Sequence, residues 1–222
     1  MGHIQLRHLL REKFTTSELI SFHTYVCQFS SIGSIGPKPE SWLCSEFLIS
    51  LSGDCPRSPS PSQLKLIFPS VESVRTSLEG YAAGGSLPHS QANYDKQPYL
   101  RQFLHQWRSE RLGRTRAMPH IKTYTAFDST HRAQWLLLTS ANLSHSAWGK
   151  LEKAGSQLFC RSYELGVLLC LKDHPELDGG DGGRLPVPYD VELTRYGDGD
   201  EPFVWDRVYK QKDAWGRRGV DG

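Results

Sequence analysis

Apolar and polar positions along the 222-residue chain follow helical spacing in some stretches and strand spacing in others. Residues 2–29 mix the two classes over several helical turns, with Thr15, Thr16 or Ser17 beside Glu18 as a candidate N-cap. The Ser/Gly/Pro stretch 30–39 is a loop. Residues 41–51 predict a helix anchored by Trp42, Cys44, Phe47 and Leu51. A Ser/Pro-rich loop over 52–62 leads into a short strand over 64–70 that stops at Pro69. Residues 71–80 suggest a helical turn ending at Gly80, and 82–91 an irregular Gly/Pro loop. Residues 97–110 have helical periodicity, with Leu100, Phe103, Leu104 and Trp107 on one face.

The β-branched and aromatic content of 120–127 predicts a strand. Residues 135–141 form a near-continuous apolar run, the pattern of a strand buried on both faces. A strand-to-helix turn follows, with Asn142 or Ser144 near the helix N-terminus. Residues 163–170 read as another apolar strand. The Gly/Asp run 178–183 is a linker; it lacks the alternating ligands of a calcium loop. From Pro186 onward Tyr189, Trp205, Tyr209 and Trp215 stand among charges. There is no internal repeat, and strands mixed with helices suggest a layered α/β or α+β architecture of one or two domains.

Charge alters this picture little. Lys and Arg number 26 and Asp and Glu 24, so attraction to a polyanion must come from local clustering. One cluster stands out: Arg101, Arg108, Arg111, Arg114 and Arg116, interrupted by Glu110. It suits a nucleic-acid backbone, or equally a solvated helix face and polar loop. No apolar run approaches the roughly 20 residues that span a membrane, and the N-terminus does not read as a signal peptide. The five cysteines, Cys27, Cys44, Cys55, Cys160 and Cys170, are odd in number and widely spaced. That favours buried thiols in a reducing compartment over disulfides or a zinc site.

Candidate chemistry concentrates at His120 and Lys122. Two apart on a strand, they would share a face. The lysine supplies fixed charge for phosphate oxygens and the imidazole handles a proton near neutral pH. Asn142, at the end of the next apolar strand, could add a neutral amide donor. Cleaving a phosphodiester needs charge neutralisation on the non-bridging oxygens and a proton for the leaving oxygen, and this set supplies both without metal or cofactor. A His-x-Lys tripeptide alone is a weak signal, more often a solvated strand face than a site.

The neighbourhood changes that. MPHIKTY, LLTSANLSHSAWG and RSYELGVL, together with PSVESVRTSLEGYAAGGSLP upstream, resemble the second catalytic motif of the tyrosyl-DNA phosphodiesterases, members of the phospholipase D superfamily. The resemblance runs from about Phe29 to Trp205 and weakens over 172–185. It implies an α/β fold: a phospholipase D-like mixed sheet layered with helices, the C-terminal half of a pseudo-twofold pair. One catalytic domain over 1–222 is expected, with a loop-rich phosphate- and DNA-contacting part (30–91), a motif core (117–171), a linker (172–185) and a C-terminal segment (186–222). By resemblance His120 is the general acid that protonates a tyrosine leaving group and then the base that activates water. Lys122 and Asn142 hold the phosphate. Glu164 orients His120 through its second ring nitrogen, fixing the tautomer and raising basicity. Ser30, Ser31 and Ser144 match phosphate-contacting positions, Pro88 lies near the ligand, and Trp205 lies near the peptide and DNA groove.

The implied activity is hydrolysis of the bond between a DNA 3′ end, single-stranded or nicked, and a tyrosyl peptide left by topoisomerase I. That is a repair reaction expected in the nucleus, with cytoplasm or mitochondrion also compatible. The implied cofactor is none, and no membrane is involved. The superfamily builds its site from two His-x-Lys motifs, one carrying the nucleophile, whereas this sequence contains one. The implied partner is therefore an N-terminal half of the same protein, without which the chain would be inactive. A homodimeric single-motif phosphodiesterase and a non-catalytic DNA-end-binding module are the alternatives.

Overall fold

The computed structural model describes residues 1–174 and 187–219. The 178–183 linker therefore lies outside the described residues. The chain opens with helix α1 (Gly2–Lys13), whose His3, Leu6 and Leu10 fall on one buried face while Arg11 and Lys13 sit favourably in its last turn. Helix α2 (Thr16–Ser21) starts at a capping box: Thr15 Oγ1 accepts from the Glu18 amide and Glu18 reaches back to the Thr15 amide. The expected N-cap thus falls on Thr15.

A six-stranded mixed sheet carries the fold, in the order β3-β2-β1-β4-β5-β8. Its strands are β1 (Thr24–Gln28), β2 (Leu64–Ile67), β3 (Leu104–His105), β4 (Lys122–Phe127), β5 (Ala133–Thr139) and β8 (Gly166–Cys170). A separate hairpin pairs β6 (Lys150–Glu152) with β7 (Gln157–Phe159). β1 to β3 run parallel, while β4, β5 and β8 add antiparallel neighbours. The remaining helices are α3 (Leu48–Leu51), α4 (Val71–Arg75), α5 (Gln91–Lys96) and α6 (His145–Trp148). The larger core lies on one face and contains Trp42, Phe47, Tyr124 and Trp148. The smaller one, on Val26, Ile67, Trp107 and Phe127, is roofed by Val187 and Tyr189 of the C-terminal segment.

Several expected elements form otherwise. The window read as helical over 2–29 ends in β1, a strand at the centre of the sheet. Thr24, Tyr25 and Val26 suit a strand, but only pairing with β2 and β4 on its two sides decides it. Residues 41–51 break into a 3-10 turn, a π turn (Leu43–Phe47) and α3; Trp42, Phe47 and Leu51 are buried as expected, and Cys44 only partly. Helical turns in 97–110 stop at Phe103, because Leu104 and His105 pair with β2. Leu100 and Phe103 then face the larger core, whereas Trp107 crosses to the smaller. β5 is not buried throughout: cover ends at Leu137, and Leu138 is 45 % exposed. At the start of the 172–185 segment, Lys172 pairs with Glu18 at 3.2 Å and Asp173 with Lys13 at 3.1 Å, both on the surface.

His3 makes the fold sensitive to acid. Fully buried, it holds Ser50 Oγ at 2.7 Å through Nδ1. Burial first, then Arg7, His145 and the N-terminal ammonium, hold its pKa at about 4 against an ordinary 6.5. The folded state therefore binds fewer protons than the unfolded one between these values, so stability is complete above pH 6.5 and drains as pH falls towards 4. The expected loss from His3 alone is about 3 kcal/mol. Urea midpoints should fall over this window, and His3→Leu should remove only the His3 share of that slope, because His145, also held at about 4 mainly by burial, contributes over the same range.

Candidate active site

The expected site residues meet at one end of the sheet, where β1 ends, β4 begins and β5 ends. β4 starts at Lys122, so His120 sits in the loop before the strand rather than on it. The two therefore do not share a strand face: His120 is exposed, whereas Lys122 is 6 % exposed. The lysine folds back instead, its Nζ donating to the His120 carbonyl oxygen at 2.5 Å. That leaves donors on the ammonium for a ligand beside the imidazole. Burial lowers the Lys122 pKa, and the negative charge of Glu164 acts against that shift. The imidazole of His120 makes no hydrogen bond among the described residues.

Asn142 is oriented by the opposite loop. Its Oδ1 accepts both from the Ser30 amide, at 3.1 Å, and from Ser30 Oγ, at 3.3 Å. A backbone N–H can only donate, so the facing amide atom is the oxygen and the Nδ2 donors remain for a ligand. Ser30 is wholly buried and spends both donors on Asn142. Rather than offering phosphate-facing surface, it sets the asparagine. A parallel bridge joins Ile32 to Leu143 and clamps the two loops together. Gly33 permits this approach: a Cβ there would lie 2.6 Å from Ser144 Cβ.

The other expected contacts fall along the same rim. Ser31 Oγ donates to the Pro88 carbonyl at 2.6 Å, tying the loop of Pro88 to that of Ser30. The Trp205 amide donates to the His89 carbonyl at 3.0 Å, which ties the backbone of this half-exposed residue to the loop of Pro88. Ser144 caps α6 by accepting from the Ala147 amide at 3.1 Å. Glu164 departs from expectation. Its carboxylate accepts from Ser140 Oγ, not from His120. The same serine takes the Leu165 amide at 3.1 Å, so the residue just after β5 holds Glu164 in the segment leading into β8.

Three residues that sequence reasoning passed over build this site. Gln28, fully buried at the end of β1, donates to the Ile121 carbonyl at 2.7 Å and accepts from Thr123 Oγ1 at 3.3 Å, pinning the chain between His120 and Lys122. Tyr124 donates from its hydroxyl to the Ala141 carbonyl at 2.9 Å and accepts the Trp148 indole N–H at 3.1 Å, fixing the turn into Asn142. Ser140 is the third. The one available signal was Gln28 closing the apolar run YVCQ, since a buried amide must be bonded on both ends. The arginine cluster disperses. Arg101 donates to carbonyls of Gly197, Asp198 and Asp200, Arg111 to that of Val187, and Arg116 to that of Thr76. Those guanidiniums staple loops together instead of forming one helix face.

A model of the family described as tyrosyl-DNA phosphodiesterase matches residues 1–197. The chain belongs to the tyrosyl-DNA phosphodiesterase family. A probable tyrosyl-DNA phosphodiesterase of Caenorhabditis elegans is 42 % identical over 224 residues, covering 97 % of this chain and 47 % of that one. Tyrosyl-DNA phosphodiesterase 1 of Arabidopsis thaliana is 37 % identical over 263 residues, covering 97 % and 42 %. The chain thus spans about half the length of these tyrosyl-DNA phosphodiesterases. Among solved structures, the yeast tyrosyl-DNA phosphodiesterase superposes with a TM-score of 0.62 at 23 % identity, covering 86 % of this chain and 52 % of that one. A mutant of it reaches a TM-score of 0.67 over 91 % of this chain. At that identity the likeness shows the fold, a mixed α/β sheet layered with helices as expected.

Proposed function

We propose that this chain supplies the acid/base and phosphate-holding half of a tyrosyl-DNA phosphodiesterase site. One observation carries the reading: a buried lysine that donates to the His120 carbonyl and an asparagine amide fixed by Ser30 lie at the same end of the sheet as an exposed imidazole that makes no hydrogen bond among the described residues. Lys122 and the Nδ2 donors of Asn142 neutralise and orient the non-bridging oxygens of a phosphodiester. His120 gives a proton to the departing tyrosine oxygen, and then takes one from the water that ends the reaction. Glu164 acts at longer range, as a negative charge facing Lys122, with its contact to His120 forming once substrate is bound. The nucleophile comes from a second His-x-Lys motif on another polypeptide segment, and the substrate is a DNA 3′ end bearing a tyrosyl peptide from topoisomerase I, in the nucleus.

The sheet edge next to Glu164 supports a docking half. Tyr163 is 96 % and Leu165 83 % exposed on the approach to edge strand β8. Beside them opens a groove of about 290 Å3 lined by Leu6, Leu9, Leu137 and Trp148. A wide apolar edge of this kind marks a surface that another chain segment covers. The test is direct. The chain is fused to, or mixed with, a polypeptide carrying the second motif and given a 3′-phosphotyrosyl oligonucleotide. Tyrosine release by the combination and not by either part is the expected result; no release from a folded, assembled pair would end this reading.

A further inference from the structure

At the far end of the chain a tight turn holds a tryptophan out in solvent. Asp213 is buried, and its carboxylate accepts the amides of Trp215 and Arg217, each at 2.9 Å, and of Tyr81 at 3.0 Å. Its own amide donates to the Arg217 carbonyl at 2.8 Å, and Gly216 takes the left-handed φ of +76° that the turn needs. Gly80 is cut to fit: a Cβ there would lie 2.1 Å from the Asp213 carboxylate. A desolvated carboxylate spent entirely on backbone amides makes a rigid turn.

The side chain this turn presents is Trp215, 62 % exposed. Its indole N–H donates to the Leu78 carbonyl at 3.0 Å, so the ring edge is pinned while a face stays open. The Arg217 guanidinium lies 5.9 Å from the ring centroid. Lys212, Arg217 and Arg218 are exposed on the turn, and Arg116 on the neighbouring loop, whose carbonyl takes the Leu78 amide at 2.9 Å. Among the described acids of the turn and its neighbouring loop, Asp213 is buried and Glu72 is bridged by Arg75, which leaves Glu79. Arg116 is four residues before His120, at most about 14 Å of chain.

We propose that Trp215 and the cations around it form a platform on which a single strand of nucleic acid runs beside the His120 site. An open aromatic face stacks on any base, and clustered cations with few acidic partners follow a phosphate backbone. A protein partner fits less well, since Leu78 is the lone large apolar neighbour among the residues named. The inference rests on the phosphodiester reading of the His120 site, but its test does not depend on turnover.

The test is anisotropy of a fluorescein-labelled oligothymidylate bound by the 222-residue chain over a salt series. Trp215→Ala should weaken binding about tenfold at unchanged salt slope, and Trp215→Phe should stay within about threefold of the parent. Arg217→Ala with Arg218→Ala should flatten the logarithmic salt slope by about 1.4, roughly 0.7 for each phosphate that is no longer neutralised. The platform is overturned if the parent does not bind, if Trp215→Ala binds like the parent, or if Trp215→Phe loses as much as Trp215→Ala. An unchanged slope in the double variant overturns it too. So does an acidic peptide that displaces the strand and depends equally on Trp215, which would make this a protein-docking surface. Strand binding is read without any turnover, so failure of the phosphodiesterase reading appears only in tyrosine release by the assembled pair.

Discussion

Replacing His120 with alanine in the assembled enzyme should slow release of tyrosine by about a thousandfold, within the range a positioned general acid contributes. Its ring is exposed and unbonded, so the substitution should leave the melting temperature within about 1 °C of the parent, as for other surface changes. That separation of activity from stability is itself part of the prediction. Leaving-group dependence identifies the role. A phenol ionises near pH 10 and leaves with difficulty unless protonated. With a 3′ ester of a more acidic phenol, p-nitrophenol, the defect of His120→Ala in the first release of phenol, followed in a single turnover so that the later water step does not count, should shrink greatly, because the proton is no longer needed. A defect of equal size on both esters would exclude the general-acid role. Lys122→Met should show the opposite signature, a comparable loss on both substrates, since the ammonium acts on non-bridging oxygens whatever group departs.

The largest stability effect is expected at Phe47, which takes no part in the chemistry. Its ring is fully buried, stacked on Trp42 at 4.8 Å between centroids and set edge-on against Trp148 at 5.0 Å and Tyr124 at 5.9 Å. Truncation to alanine removes this packing and leaves a cavity that three rigid aromatics cannot collapse into, at a cost of about 3–5 kcal/mol. For a chain of this length the melting temperature should fall by roughly 10 °C. Phe47→Leu keeps most of the volume and should recover more than half of the loss. Because Tyr124 and Trp148 hold the turn into Asn142, Phe47→Ala should also depress turnover well below its own melting point. A variant melting within about 2 °C of the parent would show that this cluster is not what secures the core.

Much of the site was legible in the order of residues alone. His120, Lys122 and Asn142 stand in blocks whose succession marks a family, and the fold brings all three to one end of the sheet. The direct partnership of His120 with Glu164 is not formed, because whether two side chains meet depends on the angle between neighbouring strands and on competing partners. Here Ser140 competes for the carboxylate. Ser30 shows the same limit: a loop serine in sequence, it is the buried donor that aims Asn142.

Strands expected over 64–70, 120–127 and 163–170 form in shortened versions, over Leu64–Ile67, Lys122–Phe127 and Gly166–Cys170, and these and the cap at Thr15 followed from sequence because their causes are local: apolar, β-branched and aromatic stretches, and a threonine facing an acid three residues on. The sequence by itself therefore determined the residue types, the motif and most element positions. Tertiary structure alone decided that β1 is a central strand, that Leu104 and His105 leave a helical pattern to pair with β2, and that Gln28 pins the backbone of the His120–Lys122 segment. Each of these rests on hydrogen bonds between residues far apart in the chain. Local spacing cannot encode such pairings, because their free energy exists only once the partners have met.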